Sequence, residues 1–168
     1  MTGLFTRCCI DTSALVDLYR QSLRDERDIQ LWALFESDAA TGCVVSNREV
    51  RKELRRGSNG LAKWAAAHGS FFVDPDAYQV ELLQKVLVMK GSHAVHLDRQ
   101  HKYDADPWLA AQGAACGLVV VTCENPRRAH SVPSLCSCLG VEWAHLKEYI
   151  QILRGEREPW PRRMCDGA

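Results

Sequence analysis

The sequence predicts an α/β fold, a three-layer α/β/α sandwich with a mainly parallel central sheet. Predicted strands and helices alternate along the chain. The strands are continuous apolar runs, such as 118–122, and do not alternate apolar with polar residues. Strands of this kind are buried on both faces, which is typical of parallel sheets covered by crossover helices. The length of 168 residues predicts one domain with a single core over 1–154. A tail with two prolines, expected to be flexible, occupies 155–168.

Local signals place the individual elements. Strands are predicted where short apolar runs end at polar or glycine-containing turns, over 4–10, 43–45, 71–73, 118–122 and 141–143. Apolar residues at helical spacing, with caps and closing glycines, predict helices over 12–22, 28–38, 47–56, 61–67, 76–89, 106–116, 133–139 and 145–153. Leu31, Leu34 and Phe35 form the expected buried face of the second helix. Val80, Leu83, Val86 and Leu87 form that of the fifth. The polar, histidine-rich stretch 90–103 is predicted to be a loop.

Composition excludes several broad classes. The formal net charge is zero, so any contact with nucleic acid would use local basic patches and not a global field. Two such patches are visible, Arg51, Lys52, Arg55 and Arg56 in one, and Arg127, Arg128 and His130 in the other. The first residues lack the pattern of a secretory signal, and no apolar stretch is long enough to span a bilayer. A soluble, cytoplasmic protein is expected.

Eight cysteines raise the question of disulfides or zinc. They include no Cys-x-x-Cys pair, and several, such as Cys43, Cys116 and Cys123, lie in apolar runs. Free thiols in such runs behave as small hydrophobic side chains. We therefore expect reduced thiols, mostly in the core.

Carboxylates follow the predicted strands at the positions where ligands bind in open parallel sheets, beyond the carboxyl ends of the strands. Asp11 follows the first strand, and Glu124 follows the strand 118–122. Glu49 and Glu53 lie four residues apart on one helix face after the second strand. Asp106, with Asp104 just before it, opens the helix that leads to 118–122. Four chain segments thus bring acids to one edge of the sheet.

Each acid has a simpler explanation when it is taken alone. Asp11 and Asp106 are plausible helix N-caps, and Pro107 strengthens that interpretation for Asp106. Glu49 and Glu53 could be solvated positions near the basic patch. The convergence of all four segments is harder to explain in this way, because clustered carboxylates repel unless a cation lies between them. Mg²⁺ or Mn²⁺ accepts oxygen ligands and suits such a cluster, which points to metal-assisted hydrolysis of a phosphate ester.

The chain resembles PIN domains, the metal-dependent nuclease fold of VapC-type toxins, and more narrowly a poorly characterised branch of PIN-like proteins. The resemblance rests on "IDTSAL" at 10–15, "VVSNREVRKEL" at 44–54, "DADPWLAAQGAACGLVVVTCE" at 104–124 and "VPSLCSCLGVEW" at 132–143. It covers nearly the whole chain, to about residue 153. No single motif of the four is highly specific, and it is their order and spacing along the chain that make the resemblance specific.

The resemblance implies a ribonuclease that hydrolyses RNA phosphodiester bonds with Mg²⁺ or Mn²⁺. The catalytic, metal-binding acids of the PIN pattern fall on Asp11, Glu53, Asp106 and Glu124. Ser13 and Thr122 match supporting polar positions, with Glu49 and Asp104 as further supporting acids, and Glu49 competes with Glu53 for the metal. Arg51, Lys52, Arg55 and Arg56 would contact RNA phosphates. The resemblance also implies a toxin with a cognate antitoxin, often as a homodimer, and no membrane partner.

Several alternatives remain open at this point. One is an inactive PIN scaffold that binds protein or RNA. A phosphatase of the haloacid-dehalogenase kind is disfavoured, because it requires an acid two residues after Asp11 and Ser13 stands there. A zinc site at His93, His96 and His101 is disfavoured, because no cysteine lies near them.

Trp32, Trp64, Trp108 and Trp143 are expected to pack in the core, and Trp160 to be exposed.

Overall fold

The computed structural model describes residues 7–24, 26–57, 59–90, 105–128 and 131–160. The strands in these ranges are β1 Cys8–Ile10, β2 Val44–Asn47, β3 Phe72–Val73, β4 Val119–Thr122 and β5 Trp143–His145. The helices are α1 Thr12–Ser22, α2 Glu26–Thr41, α3 Arg48–Leu54, α4 Gly60–Ala67, α5 Ala77–Lys90, α6 Asp106–Cys116, α7 Val132–Cys138 and α8 Leu146–Leu153. A 3₁₀ turn over Gly69–Phe71 precedes β3.

The five strands form one sheet in the order β3-β2-β1-β4-β5, with every neighbouring pair parallel. The chain builds outward from β1 to β3, then returns past β1 to add β4 and β5 on the other side. With right-handed crossovers, the helices that precede the reversal and those that follow it lie on opposite faces of the sheet. In agreement, α1, α2 and α8 pack together in one layer, and α5, α6 and α7 pack together in the other. The predicted three-layer α/β/α fold with a mainly parallel sheet is confirmed.

The core is concentrated on the central strands and on α6. All residues of β1 and β4 are buried, as expected of strands covered on both faces. Gly113 lets α6 lie directly on the sheet, because a Cβ atom there would come within 2.7 Å of both Val120 Cγ2 and Val141 Cγ1. Gly117, with φ +61°, ends the helix in the left-handed conformation. The second half of α6 is thereby held against β4 and the segment before β5.

Most predicted element boundaries agree with the structure to within a few residues. The bounds of α1 and α6 coincide with the prediction, whereas α2 is longer at both ends. Asn47 both ends β2 and caps α3, so the strand runs two residues beyond its predicted end. β5 begins later than predicted, at Trp143, and its residues Trp143–His145 pair with Val120–Thr122 of β4. Of the predicted loop 90–103, Lys90 is the last residue of α5, and residues 91–103, with their three histidines, lie outside the described residues.

Helix faces were predicted less well than helix positions. Leu34 and Val80 were expected in the core but are 40% and 37% exposed. Among the described side chains of α5, the buried ones are Gln79, Leu82 and Val86. Val86 was predicted to be buried, and the side chain of Leu87 lies outside those described. The buried face is therefore rotated from the predicted one. Gln79 directs its amide Nε2 to Cys116 Sγ at the end of α6. Packing against α6, which the period of α5 alone does not reveal, sets this rotation.

Two expectations about cysteines and tryptophans need correction. Every cysteine in the described ranges is a free thiol, but Cys43 and Cys116 are exposed and not buried. Trp160 was expected to be exposed, yet only 7% of it is accessible. Its ring stacks on that of Tyr149 in α8, with centroids 6.3 Å apart. Residues 161–168 of the predicted tail lie outside the described residues. In the parts of the chain that the structure describes, no helix combines the length and apolarity needed to cross a bilayer.

Candidate active site

A cleft of about 430 Å³ lies at the carboxyl ends of β1 and β4. The strand order reverses between β1 and β4, and ligands bind at such a reversal in open α/β sheets. Residues from four chain segments surround the cleft: Asp11, Thr12, Ser13, Val16, Asp17, Arg20, Glu53, Asp106 and Glu124. All four acids predicted to bind metal therefore line one cleft.

Asp11 is the most deeply placed of these acids, with 2% of its surface exposed. It follows β1 and caps α1, because its Oδ1 accepts a hydrogen bond from Ala14 N at 2.7 Å. Ser13 Oγ lies 2.9 Å from both carboxylate oxygens, and Thr122 Oγ1 donates to Oδ2 at 2.5 Å. The interpretation of Asp11 as a helix cap is thus confirmed. The hydrogen bond from Ala14 N is, however, only one of several contacts that orient this carboxylate.

Burial raises the pKa of Asp11 from its ordinary 3.8 to about 6. The nearby Glu124 carboxylate raises this pKa further, whereas the hydrogen bonds from Thr122, Ala14 and Ser13 lower it and are outweighed by burial. The hydroxyl and amide donors favour the ionised carboxylate, and the surrounding apolar groups disfavour it. Shifted carboxylates of this kind in a cleft are typical of functional sites. A buried anion that is costly to ionise is a place where a cation is bound favourably.

Glu53 and Glu49, which the sequence left as competitors, have separate environments. The carboxylate of Glu53 lines the cleft, where it accepts hydrogen bonds from Thr12 Oγ1 and, at 3.1 Å, from Ala105 N. Glu49 is buried one turn earlier in α3, where its Oε1 lies 2.8 Å from Lys52 Nζ and 3.5 Å from Arg48 Nε. Glu49 is not among the residues that line the cleft. Geometry therefore favours Glu53 as the acid of α3 in the site.

Glu124 is placed by the turn that follows β4. Its backbone N donates to Thr122 Oγ1 at 3.0 Å, so Thr122 contacts both Glu124 and Asp11. Its Oε2 accepts a hydrogen bond of 2.6 Å from Val132 N, in the first turn of α7. The acid that was predicted after the strand thus bridges β4 and α7 at the border of the cleft.

Asp106 is the first residue of α6 and lines the cleft. Ala105 occupies the N-cap position, and no side chain caps this helix. The interpretation of Asp106 as an N-cap is therefore wrong, although an acid in the first turn still interacts favourably with the helix dipole. Asp104 lies outside the described residues.

The donor set suits a hard divalent cation, since it combines carboxylates and hydroxyls in one cleft. Within the described ranges, however, no three Asp, Glu, His or Cys side chains lie close enough together to share one ion. Glu53 and Glu124 direct oxygens to the backbone N–H groups of Ala105 and Val132. These hydrogen bonds hold the two carboxylates towards the walls of the cleft. Shared coordination of an ion would require them to turn inward.

Sequence reasoning gave no site role to Thr12, nor to three residues of the cleft further along α1, Val16, Asp17 and Arg20. Together with Ser13, these three residues occupy positions i, i+3, i+4 and i+7 of α1, which is one face of a helix. A signal was therefore present: once Ser13 was assigned to the site, helical spacing extended the site along α1. Arg20 is the basic residue of this lining, and its Nη1 lies 4.0 Å from Asp17 Oδ1.

The basic patch of α3 that was predicted to contact RNA has structural contacts of its own. Arg51 donates from Nε to Ala65 O at 3.0 Å and from Nη2 to Ala66 O at 2.9 Å, at the end of α4. Lys52 pairs with Glu49. Arg55 and Arg56 are exposed. The assignment of this patch to RNA stays a prediction. In the second patch, Arg127 and Arg128 are exposed, and His130 lies outside the described residues.

Comparisons with known proteins give a family and a distant structural likeness. A family model described as "Domain of unknown function (DUF4411)" matches residues 8–156. Among solved structures that match is one described as "Structure of FitAB bound to IR36 DNA fragment". It shares 12% sequence identity over 83% of this chain and 94% of that chain, with a TM-score of 0.49. The curated proteins contain no significant match.

Proposed function

The chain belongs to the DUF4411 family, described as a domain of unknown function, and we propose that it is a PIN-like, metal-dependent endoribonuclease. The observation that carries the proposal is the arrival of Asp11, Glu53, Asp106 and Glu124 in one cleft from four separate segments. The cleft lies at the strand-order reversal, where catalytic groups of parallel α/β sheets lie. The order of these acids along the chain is the order of the PIN pattern that the sequence resembles.

Mg²⁺ or Mn²⁺ bound by these acids would polarise the phosphate and activate a water for hydrolysis of the phosphodiester bond. The protein's own groups prepare the cleft for that chemistry. Thr122 and Ser13 hold the Asp11 carboxylate in one orientation, and their hydroxyls favour its ionised form. Thr12 and the backbone of Ala105 position Glu53, which ties α3 to the starts of α1 and α6.

The test is cleavage of a labelled single-stranded RNA by the purified chain with Mn²⁺, Mg²⁺ or EDTA. We expect cleavage with either metal and none with EDTA. Asp11→Asn should abolish cleavage and leave the chain folded, because asparagine retains an oxygen acceptor for Ala14 and Ser13. Asp74→Asn is the matched control, since Asp74 is exposed and pairs with Arg48 outside the cleft. Equal cleavage by the Asp11→Asn variant and its parent would rule out this mechanism.

We further propose that the activity is that of a toxin with a cognate antitoxin, as the resemblance to VapC-type proteins implies. Expression of the parent chain in a bacterial host should arrest growth, and the Asp11→Asn variant should not. Co-expression of the protein encoded beside it should restore growth. Growth arrest by both the parent and the variant would show that any toxicity is independent of the cleft.

A second candidate function is a PIN-like scaffold that binds protein or RNA without cleaving it. It is favoured by the hydrogen bonds that hold Glu53 and Glu124 against backbone N–H groups, and by the lack of a ready-made ion-binding group among the described residues. The two candidates differ in metal binding. An ion bound to the folded state raises the unfolding temperature, so the nuclease should be stabilised by Mn²⁺ and its Asp11→Asn variant should not. The scaffold predicts no change in either protein.

A further inference from the structure

The acidic cleft continues into a second groove along α1. This groove, of about 640 Å³, is lined by Asp17, Arg20, Gln21, Arg24 and Asp28. Asp17 and Arg20 line both the groove and the acidic cleft. The backbone N of Arg24 donates to Gln21 O at 3.1 Å, which continues the last turn beyond the end of α1. Arg24 therefore follows Arg20 by one turn, about 6 Å along the helix axis.

A nucleic acid can enter the acidic cleft only if basic residues lie beside it, because the cleft and the phosphates are both negatively charged. Five of the residues that line this cleft are acids, and Arg20 is its one basic residue within the described parts of the chain. A polyanion gains most of its non-specific affinity from Lys and Arg contacts to its phosphates. Arg20 stands where the acidic cleft opens into the groove. A strand with one phosphate among the acids would thus meet its first cation at Arg20.

The arginines that line the groove, Arg20 and Arg24, are available to bind a ligand. The contact between Arg20 and Asp17 is 4.0 Å long, with side chains 66% and 55% exposed, and such pairs contribute little to stability. The acid at the far end, Asp28, is paired with Arg154, the residue that follows α8. Arg51 is different, because both its Nε and its Nη2 donate to carbonyls at the end of α4.

We propose that Arg20 and Arg24 bind consecutive phosphates of the RNA strand as it leaves the acidic cleft along α1. The groove is then the track that orients the substrate backbone, and both arginines are positioning residues. The inference rests on the proposed function, since it takes RNA as the substrate of the adjacent cleft. It assigns to α1 and the turn after it the phosphate contacts that the sequence analysis gave to the basic patch at 51–56.

The test is binding of a short fluorescent single-stranded RNA in EDTA, measured by anisotropy over a series of salt concentrations. The proteins are the parent, Arg20→Gln with Arg24→Gln, Arg20→Lys, and Lys85→Gln. Lys85 is an exposed residue of α5 in the opposite helix layer and serves as the matched control. Each phosphate contact to a single strand contributes about 0.7 to the slope of log affinity against log salt. The double variant should therefore bind more weakly, with a slope lower by about 1.4.

Arg20→Lys should keep the slope, since it keeps the charge, and Lys85→Gln should match the parent. Unchanged unfolding temperatures exclude a loss of fold as the cause. The inference is overturned if the double variant keeps the affinity and slope of its parent, if Lys85→Gln loses as much, or if the parent does not bind RNA.

Cleavage with Mn²⁺, measured separately, decides the proposed function. A parent that cleaves while the double variant binds normally would refute only the track, and a parent that binds through these arginines without cleaving would refute only the nuclease.

Discussion

Thr122 Oγ1 donates a hydrogen bond of 2.5 Å to Asp11 Oδ2 and joins two residues that are 111 positions apart in the chain. Thr122 is the last residue of β4, and Asp11 directly follows β1. The same hydroxyl accepts a hydrogen bond from Glu124 N at 3.0 Å. One side chain thus sets the positions of two of the four acids, at the junction where the strand order reverses.

Replacing Thr122 with valine should raise the pKa of Asp11 above about 6, because a hydrogen bond that favours the ionised carboxylate is lost. The acid limb of the pH profile of RNA cleavage should then move to higher pH. Thr122→Ser keeps the hydroxyl and should restore the parent profile. A Thr122→Val variant that titrates like its parent would mean that this hydrogen bond does not govern ionisation at the site.

Protonation of Asp11 should make the fold more stable at mildly acidic pH. Burial raises its folded-state pKa from an ordinary 3.8 to about 6, so the folded chain binds a proton more tightly than the unfolded chain. The associated stability is fully present below about pH 4 and is lost as pH rises through about 6. A difference of about two pKa units corresponds to about 3 kcal/mol of unfolding free energy.

Denaturant unfolding between pH 4 and 8 measures this dependence. Asp11→Asn should remove that part of the pH dependence, and at pH 8 it should be at least as stable as the parent. Other carboxylates contribute to both curves, so the difference between the two proteins is the quantity to compare. A parent and a variant with parallel curves would contradict the raised pKa of Asp11.

The two glutamates of α3 should differ in function. Glu53→Gln should abolish RNA cleavage, because Glu53 lines the cleft. Glu49→Gln should retain cleavage, because Glu49 pairs with Arg48 and Lys52 outside the lining. Ion pairs with half-exposed partners are worth at most about 1 kcal/mol, so Glu49→Gln should cost about that in unfolding free energy. The reverse pattern of activities would place Glu49 in the site instead.

The chain up to residue 160 should contribute to the stability of the domain. Trp160 is buried against Tyr149, and loss of a buried tryptophan side chain typically costs about 3 kcal/mol. Trp160→Ala should lower the unfolding free energy by about that amount, whereas Glu158→Ala, at an exposed position nearby, should have little effect. Equal stability of both variants and their parent would support a domain that ends near residue 154.

Local patterns identified most of the fold and the four acids that line the cleft. Asp11, Glu53, Asp106 and Glu124 were recognisable because each stands at a definable position relative to a strand or a helix start. The choice between Glu49 and Glu53 was beyond those patterns, because residues four apart share a helix face, and only neighbouring elements distinguish the two positions. Trp160 was misjudged for a similar reason, since its partner, Tyr149, lies on a helix that precedes it by several residues.

The sequence by itself determined the alternation of strands and helices, the burial of the strands and the acids that follow them. Hydrophobic period, caps and glycines act over a few residues, so they can be read along the chain. Only the tertiary structure decided that β1 lies beside β4, so that Thr122 meets Asp11. It also decided that α1 extends the cleft to Arg20. Such contacts join residues far apart in the chain, and their geometry depends on how the whole sheet and its two helix layers pack.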